Sequence, residues 1–283
     1  MGVETDASQV WLVTGANRGF GRAIAEAALD AGHRVVATVR DTAAGSLEGG
    51  STGGRLLVEQ LDVRDRAGAS RVVSAAVERF GRLDVVVNNA GFGLVGAVEE
   101  VSEAEARDIV DTDLFGALWL TQAALPVMRE QGSGHIVQIS TTGAVGTMPT
   151  LGLYNAAKWA LEGFTEALAA EVRALGIRVT IVEPGGLDTA WATGNMRFSE
   201  PLAAYDTQRT ELFGSPDVPW PWVAEAATAG GTAPAAAAAE LLRFVADPDD
   251  RLRVLIGDDA PSQVQAALDT RLTDYRRDPR FTL

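Results

Sequence analysis

The chain has 283 residues, of which 47% are hydrophobic and 22% charged, a composition typical of a globular protein with a sizeable core. Its formal net charge of −14 argues against a surface for nucleic acids or anionic membranes, because both require clustered lysine and arginine. It contains no cysteine, which excludes disulfides, thiolate nucleophiles and cysteine-ligated metals.

Apolar runs alternate with amphipathic stretches from residue 10 to about residue 183. The apolar runs are rich in Val, Ile and Leu and predict strands buried on both faces of a parallel sheet, at 10–14, 34–39, 56–61, 83–88, 135–140 and 177–183. The stretches between them predict helices at about 21–31, 66–80, 103–130 and 152–175, with Gly32 and Gly176 at helix C-caps. This alternation predicts an α/β fold, a doubly wound parallel sheet between two layers of helices, in a single domain spanning residues 1–283.

The alternation stops after Pro184. Residues 187–232 have little periodicity and many glycines and prolines, together with Trp191, Trp220 and Trp222. A long irregular segment in a compact domain is usually a lid, a binding loop or disorder, and the apolar surface of three tryptophans argues against disorder. We therefore predict a substrate-binding lid at 187–232, then a helix at 234–246, a strand at 253–256 and a final helix at about 261–276.

The two histidines and the first residues of the chain predict no further chemistry. His33 and His135 each precede an apolar run, where a position at a strand edge is the default, and nothing nearby supports a metal site or a Ser-His-Asp triad. The segment MGVETDASQV lacks the features of a secretory signal, and no apolar run approaches membrane-spanning length. We expect a cytoplasmic protein with no metal, nucleic-acid partner or membrane partner.

The first strand runs into TGANRGFG, residues 14–21, and the first helix follows at once. Such a turn presents free backbone N–H groups and the positive end of a helix dipole to an anion. Gly15 permits the tight turn, Gly19 lets the backbone approach a ligand, and Gly21 lets the helix pack closely. Three glycines also fit a purely structural turn, but their place in the first βα unit favours phosphate binding. The residues expected to contact a dinucleotide here are Gly15, Asn17, Arg18, Gly19, Phe20 and Gly21.

The end of the second strand, VVATVRD, predicts which dinucleotide is bound. An acid at this place binds the ribose 2′-OH of NAD, whereas a nearby arginine binds the 2′-phosphate of NADP. Val39 stands where the acid would stand, Arg40 follows it, and Arg18 lies close to the same point in such a fold. Two guanidiniums can hold a phosphate with bidentate hydrogen bonds, so we predict NADP(H). The alternatives are that both arginines are solvated surface residues, or that Asp41 turns toward the ribose.

Five motifs occur in the order found in short-chain dehydrogenases/reductases: TGANRGFG, LDV at 61–63, NNAG at 88–91, YNAAK at 154–158 and PGGLDT at 184–189. The chain resembles this family from residue 10 to about residue 190. The resemblance implies a Rossmann-type fold, a nicotinamide cofactor, and a pocket covered by the segment after the sixth strand. It also implies contacts to the adenine, beside the central sheet and at the nicotinamide, by Asp62, Val63, Asn88, Asn89, Ala90, Gly91, Pro184, Gly185 and Thr189.

The motif YNAAK predicts the acid and base. Tyr154 and Lys158 are four residues apart and share one face of a helix. An ammonium near a phenol lowers the phenol pKa, so that Tyr154 can exchange a proton with a carbonyl or alcohol oxygen as hydride moves. Lys158 would also hold the ribose hydroxyls. Such a pair is usually helix surface, but after a glycine motif and a buried strand we predict that it is catalytic.

Two positions depart from the family pattern. The family serine that hydrogen-bonds the substrate oxygen falls here on Thr141, with Ser140 as the alternative, and only one of two neighbouring strand residues can face the pocket. The family asparagine that holds a water beside the lysine is Asp113, whose carboxylate can accept from that water but cannot donate to it. We hypothesise that the proton relay is kept in altered form; otherwise the relay is not used.

These residues predict an NADP(H)-dependent oxidoreductase that transfers hydride between nicotinamide and a ketone or secondary alcohol. The alternative is an NADP(H)-binding relative without net redox turnover, as an isomerase, a lyase or a nucleotide-sensing partner protein. A bulky apolar or aromatic small-molecule substrate fits the composition of the pocket, with contacts from Phe92, Leu94, Trp191, Met196, Phe198, Phe213, Trp220 and Trp222, although the same residues would pack the lid. The resemblance implies a homodimer or homotetramer through Trp119, Leu120, Trp159 and Phe164, which could equally serve the monomer core.

Overall fold

The computed structural model describes residues 8–42, 47, 52–188, 196–219 and 231–282. Its described strands are β1 (Val10–Thr14), β2 (Arg34–Val39), β3 (Leu56–Gln60), β4 (Val85–Asn88), β5 (Gly93–Val95), β6 (Gly134–Ile139), β7 (Ile177–Pro184), β8 (Met196–Phe198) and β9 (Arg253–Ile256). Seven of them form one parallel sheet in the order β3-β2-β1-β4-β6-β7-β9, and β5 pairs with β8 separately.

The helices lie on both faces of this sheet. The described helices are α1 (Gly19–Asp30), α2 (Arg66–Phe80), α3 (Glu103–Val110), α4 (Gly116–Gln131), α5 (Gly152–Val172), α6 (Asp206–Phe213), α7 (Pro234–Ala246) and α8 (Ala260–Tyr275). Helices α1 and α7 pack on one face, and α2, α4 and α5 on the other. None of them has the length and apolar character needed to cross a membrane. The predicted doubly wound, three-layer Rossmann-type fold is confirmed.

Strand β1 explains why the runs of apolar residues become central strands. Its side chains alternate in direction, so that Trp11 and Val13 enter the core under α1 and α7, while Val10 and Leu12 enter the opposite core. All five residues of β1 are buried, and only a strand covered on both faces needs such continuous apolar character.

The strand order places a cleft at the carboxyl ends of β1 and β4. After β1 the chain adds β2 and β3 on one side, and it then crosses to the other side to add β4, β6, β7 and β9. The loops leaving β1 and β4 therefore run in opposite directions, and the crevice between them is where doubly wound sheets bind ligands. The glycine turn after Thr14 and the NNAG motif around Asn88 both lie at this crevice.

The predicted helix at 103–130 is regular only in part. Helices α3 and α4 are joined by a π-helical turn over Asp111–Phe115, in which the N–H of Gly116 donates to the carbonyl of Asp111, five residues earlier. A π-helical turn adds one residue to a helix and changes the direction of the side chains inside it. Asp113 lies in this turn and is fully buried.

Residues 196–219, which make up most of the described part of the predicted lid, are more regular than the sequence indicates. This segment contains β8 and α6, and Arg209 connects it to the residues before α3. The buried guanidinium of Arg209 pairs with Glu100 at 2.5 Å and donates to the carbonyls of Leu202 and Pro216 at 2.8 and 2.9 Å. A buried charge needs this degree of pairing, since an unpaired one is strongly unfavourable.

The residues considered for subunit contacts have different environments. Leu120 is fully buried in the core between α2, α4 and α5, so it serves the monomer, and Trp119 and Phe164 pack against the same core. Trp159 is 42% exposed and stacks with the guanidinium of Arg271. The predicted assembly as a homodimer or homotetramer stays a prediction.

Candidate active site

One cleft at the carboxyl ends of the strands brings together every predicted catalytic and cofactor residue that the structure describes, apart from Asn88, which lies just behind it. Thr189, Trp191, Trp220 and Trp222 lie outside the described residues. The cleft is lined by the predicted residues Gly15, Asn17, Arg18, Gly19, Phe20, Gly21, Arg40, Asp62, Val63, Asn89, Ala90, Gly91, Phe92, Asp113, Ser140, Thr141, Tyr154, Lys158, Pro184 and Gly185.

The glycine turn has the backbone geometry that its sequence predicts. Gly15 and Gly19 adopt positive φ angles of 65° and 57°, a region that side chains disfavour. A Cβ on Gly21 would lie 2.3 Å from Nδ2 of Asn89 and 2.6 Å from the carbonyl of Gly15, so only glycine lets α1 approach this closely. The turn therefore presents bare backbone and the N-terminus of α1 to the cleft.

Thr14 fixes the two sides of the crevice relative to each other. Its hydroxyl accepts from the N–H groups of Asn89 and Ala90, both at 2.9 Å, and its carbonyl accepts from the side-chain amide of Asn89 at 2.9 Å. Asn88 donates to Thr121 on α4 at 3.1 Å, in accord with a part in holding the central sheet. Sequence analysis did not single out Thr14, although it is the first residue of the TGANRGFG motif.

The arginines predicted to bind the 2′-phosphate share one end of the cleft. Arg18 precedes α1 directly, and Arg40 follows Val39 at the end of β2, where Gln60 on β3 donates to its backbone carbonyl at 2.9 Å. Val39 is buried and offers no carboxylate for a ribose hydroxyl. Arg18 and Arg40 both line the cleft, so the predicted phosphate site stays a prediction with both residues in reach of it.

A charged network that the sequence did not predict follows one wall of the cleft. Arg64 hydrogen-bonds Asp62 and lies 2.5 Å from Asp108 on α3, and it holds the pKa of the Asp62 carboxyl below its usual range. Asp108 also pairs with Arg197 on β8, whose guanidinium lies 4.0 Å from the ring centroid of Phe92. Arg64 and Arg197 both line the cleft. The sequence gives no signal for this pairing, because β8 comes close to α3 only in the folded chain.

The two candidate hydroxyls at the end of β6 point to different partners. Thr141 shares a hydrogen bond with the Tyr154 hydroxyl, and its Oγ1 accepts from the N–H of Gly143 at 3.1 Å. Ser140 instead donates to Oε1 of Glu162 on α5 at 2.5 Å, within the protein. Of the two, Thr141 is the hydroxyl directed at Tyr154.

Lys158 and Asp113 form a buried ion pair beneath Tyr154. Nζ of Lys158 lies 3.4 Å from Oδ2 of Asp113 and donates to the carbonyl of Ile139 at 3.1 Å. Asp113 Oδ1 accepts from the N–H of Phe92 at 3.0 Å, whereas Oδ2 accepts no hydrogen bond from the described residues. Burial raises the pKa of Asp113, and the charge of Lys158 opposes that effect.

The expectation that Lys158 lowers the pKa of Tyr154 is wrong for this arrangement. Burial raises the pKa of Tyr154, the carboxylate of Asp113 raises it further, and the hydrogen bond from Thr141 only partly offsets both effects. Nζ of Lys158 is 6.0 Å from the centroid of the Tyr154 ring and much closer to Asp113. The nearby carboxylate neutralises the cation, so the phenol stays protonated at neutral pH.

Two buried glutamates lie next to residues of the cleft in the sequence. Glu162, which binds Ser140, is one turn beyond Lys158, and Glu183 directly precedes Pro184. Arg253 on β9 contacts both carboxylates, Glu162 at 3.2 Å and Glu183 at 3.0 Å. Burial and the neighbouring Glu162 raise the pKa of Glu183 to about 7.

The cleft also has apolar lining residues, next to Arg197. Phe92, Leu187 and Met196 line it, with Tyr154 at its inner end. Leu94, Phe198 and Phe213 pack in the cluster around Tyr154 and lie behind these residues. Within the described residues, no group of three or more His, Cys, Asp or Glu side chains is arranged to hold a metal ion.

Comparison with known proteins gives the same picture. The family model for short chain dehydrogenase matches residues 9–198. The chain is 41% identical over 201 residues to oxidoreductase BOA17 of Botryotinia fuckeliana, covering 70% of this chain and 73% of that protein. It is 36% identical over 192 residues to a 3-ketodihydrosphingosine reductase of Bacteroides thetaiotaomicron, covering 68% of each.

Solved structures extend the similarity over nearly the whole chain. A short-chain dehydrogenase from Streptomyces avermitilis is 40% identical, with a TM-score of 0.85 and 98% of each chain covered. A short chain dehydrogenase from Burkholderia cenocepacia in complex with NADP is 25% identical, with a TM-score of 0.74 and coverage of 95% of this chain and 97% of that one. One from Burkholderia phymatum in complex with NAD has the same fold, at 22% identity, a TM-score of 0.79 and 98% coverage of both.

Proposed function

Because this chain belongs to the short-chain dehydrogenase family, we propose that it is an NADP(H)-dependent reductase of bulky apolar or aromatic ketones. The observation that carries the proposal is a single constellation in one cleft. The hydroxyls of Tyr154 and Thr141 are hydrogen-bonded to each other above buried Lys158, and the same cleft begins at the glycine turn. A proton donor, an oxygen-binding hydroxyl and a dinucleotide cradle are the parts that carbonyl reduction requires.

The residues of the cleft fit a phosphorylated dinucleotide. The turn has a positive φ at Gly15 and no room for a side chain at Gly21, and it presents backbone N–H groups to a pyrophosphate. Arg18 and Arg40 would bind the 2′-phosphate, and buried Val39 offers nothing to a free 2′-hydroxyl. We prefer binding of a 2′-phosphate by these arginines to binding of a ribose hydroxyl by Asp41, because two cationic side chains line the cleft there. When bound, NADPH supplies a hydride to the carbonyl carbon.

Tyr154 supplies the proton. With its pKa raised by burial and by Asp113, the phenol is protonated at neutral pH and gives its proton to the carbonyl oxygen as that oxygen gains negative charge. The Thr141 hydroxyl donates a second hydrogen bond to the same oxygen, so the product leaves as an alcohol. The arrangement therefore favours ketone reduction near neutral pH, and alcohol oxidation only where the phenol can ionise.

Lys158 and Asp113 support this step from below. The Lys158 ammonium is paired with Asp113, and it would hold the ribose hydroxyls of the cofactor. Asp113 Oδ2 faces the ammonium and accepts no hydrogen bond from the described residues, so a water that entered beside Lys158 would find an acceptor there. We assign Asp113 to the altered relay on this basis.

The apolar lining by Phe92, Leu187 and Met196 supports a bulky substrate. The similarity to a 3-ketodihydrosphingosine reductase adds ketones with long alkyl chains to the compounds worth testing. The substrate oxygen would lie between Tyr154 and Thr141, with the apolar part of the molecule against Phe92.

The test measures loss of reduced-nicotinamide absorbance with the purified protein, using NADPH and NADH in parallel. The ketones are acetophenone, 2-tetralone and 3-ketodihydrosphingosine, and Tyr154→Phe is the control. We expect oxidation of NADPH with at least one ketone, preference over NADH, and loss of turnover in the variant without loss of NADPH binding. Tight NADPH binding without oxidation across the panel would instead support the alternative of a relative without net redox turnover, as an isomerase, a lyase or a nucleotide-sensing protein.

A further inference from the structure

The C-terminal helix α8 contacts both loops that close the catalytic end of the cleft. One loop follows β6 and carries Thr141, and the other follows β7 and contains Gly185 and Gly186. These loops have no hydrogen bond to each other among the described residues. Helix α8 lies next to them because β9 pairs with β7, which brings Ile256 alongside Pro184.

Asp259, just before α8, holds the loop after β7. Its Oδ2 accepts from the N–H of Gly186 at 2.9 Å. A Cβ on Gly185 would lie 2.2 Å from Oδ1 of the same carboxylate, so the close approach requires glycine at that position. This explains one glycine of the PGGLDT motif by a contact within the chain, in addition to any contact with the cofactor.

Gln263, in the first turn of α8, connects that carboxylate to the other loop. Its Nε2 donates to Asp259 Oδ2 at 2.7 Å, and its Oε1 accepts from the hydroxyl of Thr142 at 2.6 Å. Thr142 is buried and directly follows Thr141. A continuous chain of hydrogen bonds therefore runs from Gly186 through Asp259 and Gln263 to Thr142.

The same face of α8 touches the rest of the loop after β6. Arg271 donates to the carbonyl of Val145 and stacks on Trp159, which itself donates to the carbonyl of Gly143. A Cβ on Gly146 would lie 2.9 Å from Cβ of Ala267, so glycine again permits close approach. Residues 263, 267 and 271 repeat every four positions and thus form one stripe along the helix.

We propose that Gln263 is a positioning residue for the reaction proposed above: its side-chain amide sets the separation between the loop that carries Thr141 and the loop that borders the nicotinamide. The proposal rests on the proposed function for the identity of the reacting groups. The hydrogen-bond chain leaves Gln263 outside the cleft, so it touches neither substrate nor cofactor and acts only through Thr142 and Asp259.

The side-chain chemistry of this link admits few replacements. The residue must donate at one end and accept at the other, which an amide does and a carboxylate does not. Gln263→Glu would retain the contact to Thr142 and place a second negative charge against Asp259. Gln263→Met keeps the length and removes both hydrogen bonds. Gln265 on the same helix provides a matched control, because it is also exposed and its amide donates to Asp269 at 2.9 Å, with no hydrogen bond to either loop among the described residues.

Two measurements on Gln263→Met, Gln263→Glu, Gln265→Met and Gln265→Glu test the proposal. Hydrogen–deuterium exchange follows the amides of Ala144 and Val145, which donate to the carbonyls of Thr141 and Thr142. We expect exchange about tenfold faster in the Gln263 variants and unchanged in the Gln265 variants. Steady-state kinetics with NADPH and the best ketone of the panel should give kcat lower by about 5- to 20-fold, with KM for NADPH changed less than about twofold.

A kinetic isotope effect separates positioning from general damage. With NADPH deuterated at the transferred position, the isotope effect on kcat should increase in the Gln263 variants, because a misplaced carbonyl slows hydride transfer itself. Unchanged exchange and unchanged kcat in Gln263→Met would overturn the proposal. If the wild-type chain oxidises no NADPH, the proposed function fails, and the exchange experiment alone still decides whether Gln263 orders the loop.

Discussion

The buried carboxyl pair Glu162–Glu183 makes the free energy of unfolding depend on pH in an unusual direction. Two acids and one guanidinium, Arg253, share a site in which Glu183 is only 1% exposed. The folded state is most stable when Glu183 is protonated and its carboxyl O–H donates a hydrogen bond to Glu162. The change Glu183→Gln fixes that situation, since the amide has the same size, stays neutral and can donate to Glu162.

The magnitude follows from the difference between the folded and unfolded states. The pKa of Glu183 rises from 4.5 to about 7 on folding, mainly through burial and then through Glu162. The folded state therefore binds this proton more tightly than the unfolded state. The resulting stabilisation is full below the unfolded pKa and is lost as pH rises through the folded pKa, by up to about 3 kcal/mol.

Urea denaturation at about pH 5.5 and about pH 8.5 measures the effect. We compare the free energy of unfolding of Glu183→Gln with that of wild type at each pH. This difference should shift in favour of the variant by about 2 kcal/mol between the lower and the higher pH. Glu166→Gln is the control, since Glu166 contacts the same Arg253 at the surface, where an ion pair contributes about 0–1 kcal/mol. An equal difference between wild type and Glu183→Gln at both pH values would refute the reasoning.

Four further predictions concern the cleft. Tyr154→Phe should lower kcat of ketone reduction by about 10²- to 10⁴-fold while NADPH binding, measured by fluorescence titration, persists; a variant with wild-type turnover would exclude Tyr154 as the proton donor. Asp113→Asn removes a charge that raises the pKa of Tyr154, so the pH profile of alcohol oxidation with NADP+ should move to lower pH, and an unmoved profile would exclude Asp113 from the relay. Arg18→Ala and Arg40→Ala should each weaken NADPH binding by about 10- to 100-fold and leave NADH binding within about twofold, as titrations of both cofactors would check. Thr141→Val should lower kcat/KM by about tenfold and Thr141→Ser should restore most of it, whereas equal rates in all three proteins would remove Thr141 from the oxygen site.

The sheet could be predicted from the sequence because its strands are buried on both faces. Runs such as that of β1 combine uninterrupted apolar character with a following glycine turn, and few other structures require both. Strands β5 and β8 have three residues each, too few to show a period, and they pair across about a hundred residues of chain. Helix α6 depends on Arg209 and its distant partners, which no local pattern reveals.

The members of the site could be predicted, but not their energetics. Tyr154 and Lys158 are visible because they lie one helical turn apart, and the glycine turn because it follows a strand. The pKa of Tyr154 is set by burial and by Asp113, which is distant in sequence, and this reverses the shift that the neighbouring lysine predicts. Which of Ser140 and Thr141 is directed at Tyr154 likewise depends on a distant residue, because Ser140 donates its hydrogen bond to Glu162 on α5.

Because of the π-helical turn at Asp111–Phe115, the direction of the Asp113 side chain depends on the exact number of residues in this turn. An α-helix advances about 100° per residue, so removing one residue from the turn would rotate everything before it relative to α4 by that angle. Asp113 would then swing away from the ammonium although the local composition had hardly changed. An insertion or deletion in a surface loop would leave the position of Asp113 unchanged. An insertion or deletion in this turn would move Asp113 relative to Lys158.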